Sequence, residues 1–383
     1  METAVLVCLS VLSILIGMSG VYMTMLKFVP VRLVYYMNRV RLPLAIVVLL
    51  VVWGLTFFWL DQWSWIGYFS LILAILGVFL AYRLTQERMF IAVDFPDIIE
   101  VTTGDLLPDD SELAVIEYNG VVKCYPLDYV IHYHIINDWF GSKMVSLTYC
   151  AMCRSIIPFD VTAIGPLYVS SFKHANMIVS DRKTGTFFQQ ANFESLVGKL
   201  HPSELIAIPF QIVTWREVKN MFETPVLPVL KEGDLKPFEL PIKGLWKRIV
   251  VSEFTPGLSS KNRDKTFAAR TRVIGIVDKI NNVNVVYLKQ TILNQGLVVN
   301  ETANFFLVAH QNNVTAFRWD HKQDLALDLS ARCITADNGF QRWDLNGKYL
   351  SGDKKQDLVL IRLSDEYWFS WKRFHPNTQF IDL

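Results

Sequence analysis

Charge is what the first fifth of this chain lacks. Thr3 to Leu26, Leu42 to Leu60 and Trp63 to Tyr82 contain no Asp, Glu, Lys or Arg. Each run approaches the roughly 20 residues that a helix needs to cross the hydrocarbon core of a bilayer. Residues 1–90 are therefore expected to form a membrane anchor with three transmembrane helices, at about 3–26, 42–60 and 63–82. A basic leader is missing too: Glu2 is the only charge before Lys27. The first run is also longer than the apolar region of a signal peptide, usually about 7–15 residues, so it reads as a retained span.

Acid is absent from the first connection, which carries Lys27, Arg32, Arg39 and Arg41. Base is absent from the second, Asp61-Gln62. The excess of Lys and Arg on the cytoplasmic side of membrane proteins predicts that the first connection is cytoplasmic. Everything after Arg83 then lies in the cytoplasm, beneath an inner, cytoplasmic membrane. The stretch Phe28 to Arg41 either lies along the inner membrane surface or simply has its arginines solvated.

Other absences narrow the function. The net charge is only +1 and there is no basic stripe, which argues against a nucleic-acid partner. There is no G-x-S-x-G, no phosphate-binding G-x-x-x-x-G-K, no G-x-G-x-x-G and no H-E-x-x-H. The cysteines number five, an odd count with Cys8 inside the first run, so they do not read as a disulfide framework.

What is present after Val93 is a succession of short β-rich runs. Asn119-Gly120 inside Glu112 to Leu127 is the dipeptide of a tight hairpin, because both central residues need positive φ. "TWREVKNMF" reads as a short helix with Thr214 as its N-cap and Glu217 completing a capping box. From Arg272 the plan recurs. "RVIGIVDKINNVNVVYLKQ" answers the first hairpin, "VVNETANFFLVAHQNNVTAFRWD" answers "IINDWFGSKMVSLTYCAMCRSIIPFD", and "SDEYWFSWKRFHPNTQF" answers the closing helix. The fold class expected is mainly β (α+β): an internally duplicated β-rich domain following three N-terminal transmembrane helices. The first repeat is 93–223, the second 272–383, and the proline-bearing 224–271 is the linker, including the polar "TPGLSSKNRDK".

The recurrence singles out one motif. Where the first copy has "YCAMCR", the second has "HQNNVT", so the scaffold does not need Cys150 and Cys153 in order to fold. Cys124 and Cys333 read as core residues. Two sulfurs at C-x-x-C spacing on a tight turn can hold one ion, and two more donors complete a tetrahedral site. His134 and His174 flank the motif, so Cys150, Cys153, His134 and His174 are the candidate ligands, with His132 the substitute for His134. Thiolate and imidazole donors suit zinc or copper. The rival readings are two small core residues with a structural role, and a redox dithiol whose thiolate Arg154 stabilises. A further reading is a non-enzymatic module that assembles or binds another membrane protein in the bilayer. Asn137, Asn176, Asp181 and Gln190 are further pocket candidates. Turn capping is the alternative for Asn137, Asp138, Asn176 and Asp181, and solvated strand positions the alternative for Gln189 and Gln190. Trp215, Trp368 and Trp371 read as packing residues of the closing helices.

These residues carry a resemblance. "CYPLDYVIHYHIINDWFGSKMVSLTYCAMCRSIIPFD", "FKHANMIVSDRKTGTFFQQ" and "TWREVKNMFE" resemble a bacterial family known as domain of unknown function 3179, over about Ile98 to Leu383 and including "KTFAARTRVIGI". The resemblance implies roles for His134, Cys150, Cys153, His174, Asp181 and Gln190, and names no reaction. The chain departs from the family pattern at Phe188, where a Trp is usual, and in "HYH", where the family has a Trp-His-Glu form. Many relatives look exported, which implies an extracytoplasmic domain and a Cys150–Cys153 disulfide.

Overall fold

A computed structural model describes residues 2–58, 65–102, 106–237, 244, 264–279, 281–319, 324–328, 330–353 and 355–383. The chain divides into two compact units. One holds residues up to Ala92 together with Leu167–Glu204; the other holds Val93–Pro166 and, among the described residues, everything from Leu205 on. Leu167–Glu204, read from the sequence as part of 93–223, therefore groups with the N-terminal helices.

In the first unit, helices α1 (Glu2–Met25), α2 (Val31–Phe58) and α3 (Trp65–Arg83) are long and apolar enough to cross a membrane. Their outward faces carry bare apolar side chains such as Leu15, Leu50, Ile72 and Phe79, each at least half exposed. Their facing sides are small and polar instead. A Cβ on Gly17 would come within 2.4 Å of the Gly77 carbonyl oxygen, so α1 and α3 touch almost backbone to backbone. Ser10 and Ser13 donate across this seam to the carbonyls of Ser70 and Ala74, at 3.0 and 3.1 Å. Close approach of small residues with interhelical hydrogen bonds is how helices associate where water supplies no hydrophobic drive.

α2 begins at Val31 rather than Leu42 and continues through Pro43. Phe28 to Arg41, expected along a membrane surface or solvated, is thus in part a buried helix start. Val34 and Tyr35 pack with Met23 and Val29 against Ile178, Phe187 and Val197. Those last three belong to an antiparallel sheet built in chain order from Leu167–Lys173, Asn176–Asp181, Phe187–Gln189 and Ser195–Val197. Lys173 ties sheet to helix: its Nζ donates to the carbonyls of Leu26 and Val29, at 2.7 and 2.6 Å. Carbonyls at a helix end have no partner within the helix, and here a buried ammonium supplies one. A four-residue helix, α4 (Gln86–Met89), follows α3 and is capped by Thr85.

The second unit runs through one succession of elements twice. Strands Glu112–Tyr118 and Val121–Pro126 form a hairpin, helix α5 (Leu127–Tyr133) follows, and then Ile135–Phe140, Lys143–Cys150 and Ser155–Asp160 pair antiparallel. The hairpin turn has φ of +51° at Asn119 and +73° at Gly120, as the dipeptide predicts. Strand Gln211–Thr214 returns onto Glu112–Tyr118 and leads into helix α6 (Trp215–Met221). The later succession is Arg272–Asp278, Val283–Leu288, helix α7 (Lys289–Gln295), Leu297–Asn300, Phe305–His310 and Asn313–Arg318. Strand Ser364–Tyr367 closes it against Arg272–Asp278 and leads into helix α8 (Trp368–Phe374). Each succession has its own apolar core, around Ile116, Tyr125 and Leu147 in the earlier one and Ile274, Tyr287 and Leu307 in the later. The fold is mainly β with short helices, as the run pattern predicts.

Of the linker, Val226–Pro228 is a strand paired with Ile98–Glu100. Most of the rest of 224–271, with the greater part of "TPGLSSKNRDK", lies outside the described residues, as do Asp61 and Gln62.

Candidate functional site

Cys150 is the last paired residue of its strand, opposite Ser155, and Ala151 to Arg154 make the turn. The turn brings the sulfurs together: Sγ of Cys150 and Sγ of Cys153 lie 3.0 Å apart, not bonded as a disulfide, and both are buried. Arg154 closes the turn at φ +56°, a left-handed conformation that costs a side-chain-bearing residue energy. "SIIPFD" is a strand, so the C-x-x-C motif does not open a helix of its own.

The surroundings of the thiols come from the later succession of the same unit. The Tyr367 amide donates to the Cys153 carbonyl at 3.0 Å, fixing the closing strand against the turn. One residue earlier stands Glu366, 1% exposed. Ser364 Oγ donates to its Oε1 at 2.7 Å, and its Oε2 has no hydrogen-bond partner among the described residues. Burial raises the Glu366 carboxyl to about 7, against opposing effects of Ser370, Ser364 and the Arg362 guanidinium. Burial also pushes the Cys153 thiol well up, with contact from Cys150 and the Glu366 charge acting the same way. The Ser370 hydroxyl lies against both groups without hydrogen-bond geometry to either. Beside the turn opens a cavity of about 600 Å³ whose walls include Tyr149, Arg154, Ile156, Arg272, Asn312 and Asp365. Arg272 and Lys289 both pair with Asp365 there, Lys289 at 2.7 Å.

The predicted ligands are distributed differently. His134 is buried and takes φ +65° at the end of α5, where its amide donates to the Val130 carbonyl. Gly296 does the same for α7, at φ +77°. The His134 Nδ1 lies 3.4 Å from the His132 carbonyl, and burial lowers the imidazole to about 4. His132 Nδ1 meets the Lys236 carbonyl at 2.9 Å. His174, in the other unit, forms a turn at φ +53°. No group of three or more His, Cys, Asp or Glu able to hold a metal ion occurs among the described residues.

The further pocket candidates are held in polar networks. Asn137 and Asp138 lie in a strand, not at a turn: Asn137 Nδ2 donates to Asp94 at 2.6 Å, and Ser146 donates to Asn137 Oδ1. Asp138 Oδ2 receives Lys123 Nζ at 2.8 Å and the Tyr125 hydroxyl at 2.7 Å. In the first unit, Asn176 binds the side chains of Gln189 and Gln190, at 2.6 and 3.1 Å. Both glutamines are buried rather than solvated, because Asn176 and neighbouring backbone groups satisfy their amides. Asp181 caps its hairpin turn through Thr184 and the Thr186 amide.

Residues 90–378 match the family described as Protein of unknown function (DUF3179). The chain belongs to this family. No curated protein and no solved structure matches it. The family match covers every residue of the thiol site, Cys150, Cys153, Ser364, Glu366 and Ser370 alike.

Glu366 escaped the sequence reading because nothing local marks it. In "SDEYWFSWKRF" it looks like one acid among solvated residues, although an acid flanked by a β-branched-poor, aromatic segment was a faint signal. A second pairing also went unseen. His310, the last paired residue of its strand as Cys150 is of its own, meets the Glu217 carboxylate through Nδ1. Glu217 Oε2 at the same time receives the Thr214 amide and hydroxyl, both at 2.8 Å, completing the capping box.

Proposed function

We infer that this DUF3179 protein is a membrane-anchored dithiol protein in which Cys150 and Cys153 cycle between paired thiols and a disulfide. The observation that carries the reading is the 3.0 Å approach of the two sulfurs beside a buried carboxyl whose Oε2 has no partner among the described residues. Oxidation breaks two S–H bonds and forms one S–S bond, releasing two protons and two electrons. A partner disulfide takes both electrons and both protons as its own S–S bond breaks. Thiolate is the attacking species, and burial opposes its formation, so a proton acceptor inside the site is needed. Glu366, held near neutrality by burial, is that acceptor. Because both sulfurs are buried, the partner is a small disulfide or a protein that opens the Ala151–Arg154 turn from the adjoining cavity.

The two sulfurs also supply half of a closed zinc or copper site. The dithiol reading stands first because no third donor joins them among the described residues. The three apolar helices support a membrane anchor for the chain. The basic first connection favours the cytoplasmic side, and the likeness to exported relatives the opposite one.

The test is alkylation of the full chain in detergent, with and without glutathione disulfide. The expected result is protection of two thiols after oxidation, lost in Cys150→Ser, with oxidation slowed on the order of tenfold in Glu366→Gln. A pair that stays alkylatable under every disulfide tried overturns the reading. Stoichiometric metal that disappears in the double Ser variant would put the metal site in its place.

A further inference from the structure

A groove of about 480 Å³ lies at one end of α3 in the first unit, walled by Arg83, Glu87, Arg88, Ile91, Ala92 and Arg182. Its three guanidinium groups come from three different elements. Arg83 ends α3, Arg88 belongs to α4, and Arg182 is brought from far along the chain by the turn after Asn176–Asp181. Arg182 pairs with Glu87. Arg83 and Arg88 have no ion pair among the described residues, and the Arg88 guanidinium is laid flat on the Tyr82 ring, 3.3 Å from its centroid. The groove thus holds three cations against one anion, with two guanidinium groups free to accept a further negative charge.

The plain alternative is that Arg83 only complements the carbonyl end of its helix. That function is already served, because the Leu84 carbonyl receives Arg41 Nη1 at 3.1 Å. Nor does helix-end complementation account for Arg182, which lies in a hairpin turn of the sheet.

The position chooses among anions. α3 is one of the helices able to cross a membrane, so its last residue sits at headgroup depth if it does so. From Arg83 an exposed apolar track runs back along the helix through Tyr82, Phe79 and Ile75, and Ile91, 65% exposed, stands at the groove's other rim. A phosphate beside bare hydrocarbon surface describes an amphiphile. We propose that this groove binds the phosphate of an anionic phospholipid, with Arg83 and Arg88 as its paired donors and an acyl chain along the Phe79 side of α3. Guanidinium groups suit this task because each offers two parallel N–H donors to phosphate oxygens.

The experiment places the full-length protein in phosphatidylcholine nanodiscs with and without phosphatidylglycerol, releases it into detergent and counts retained lipids by native mass spectrometry. The expected result is one phosphatidylglycerol per chain, preferred over phosphatidylcholine by roughly tenfold or more. That preference should vanish in Arg83→Gln/Arg88→Gln and persist in Arg32→Gln, a basic position outside the groove. Wild-type protein with no preference overturns the proposal whatever the variants do. So does equal retention by the double variant, or displacement of the lipid by inorganic phosphate, which would mean a site for free phosphate instead.

Discussion

His310 Nδ1 meets the Glu217 carboxylate at the tip of the Phe305–His310 hairpin, and on the other side of the ring Nε2 accepts from Arg332 at 2.8 Å. Burial alone would raise the Glu217 carboxyl. The hydrogen bonds from His310 and Thr214 outweigh it and hold the group at about 2, below the ordinary 4.5. A depressed acid contributes stability above its unfolded value that is lost as pH falls through the folded one. Unfolding midpoints measured by denaturant should therefore drop between about pH 4.5 and pH 2, and Glu217→Gln should flatten that slope. At pH 7 the variant should cost roughly 2 kcal/mol. An unchanged acid profile in the variant would show that other carboxylates control acid unfolding.

Glu366 has the opposite sign. Its folded value near 7 exceeds the ordinary 4.5, so the native state binds the proton more tightly than the unfolded chain does. Its cost to stability grows as pH rises from about 4.5 to about 7 and is complete above that. Glu366→Gln should raise the thermal midpoint at pH 8 and leave it nearly unchanged at pH 4.5. Differential scanning at the two pH values decides this, independently of any thiol chemistry.

Lys123 and Asp138 form a buried pair at 2.8 Å, with Tyr125 on the same carboxylate oxygen. Removing one member of a buried pair leaves an uncompensated charge, a loss of about 3–5 kcal/mol. Asp138→Ala should cost that much in urea unfolding, while the double variant Lys123→Met/Asp138→Leu should recover most of it. If the double variant is as unstable as the single one, the pair matters for packing rather than charge.

At the helix seam, a side chain on Gly77 would collide with the Ser13 backbone, within 2.6 Å of its carbonyl oxygen. Gly77→Leu should separate α1 from α3. Cross-linking between cysteines introduced at Ser13 and Ala74 is expected to fall by more than tenfold, whereas Gly54→Leu, which meets nothing within 4 Å, should leave it intact.

Much of this protein is decided by short-range rules. Charge-free runs of membrane-spanning length, the Asn119-Gly120 turn, the Thr214–Glu217 capping box and the recurring order of strands all follow from periodicity and turn chemistry, which act over a few residues. The closeness of Cys150 to Cys153 follows likewise from their spacing on a turn. Tertiary structure decided what surrounds those sulfurs. Glu366 reaches Cys153 because a closing strand from the far end of the chain pairs against the turn, a contact that loop closure and sheet register fix and local sequence does not. The same holds for His134: its spacing suggested a ligand, while the backbone demand for positive φ at the end of α5 gives it the place that Gly296 fills after α7. Lys173, an ordinary surface lysine by composition, became a buried helix cap because the sheet carries it to the end of α1.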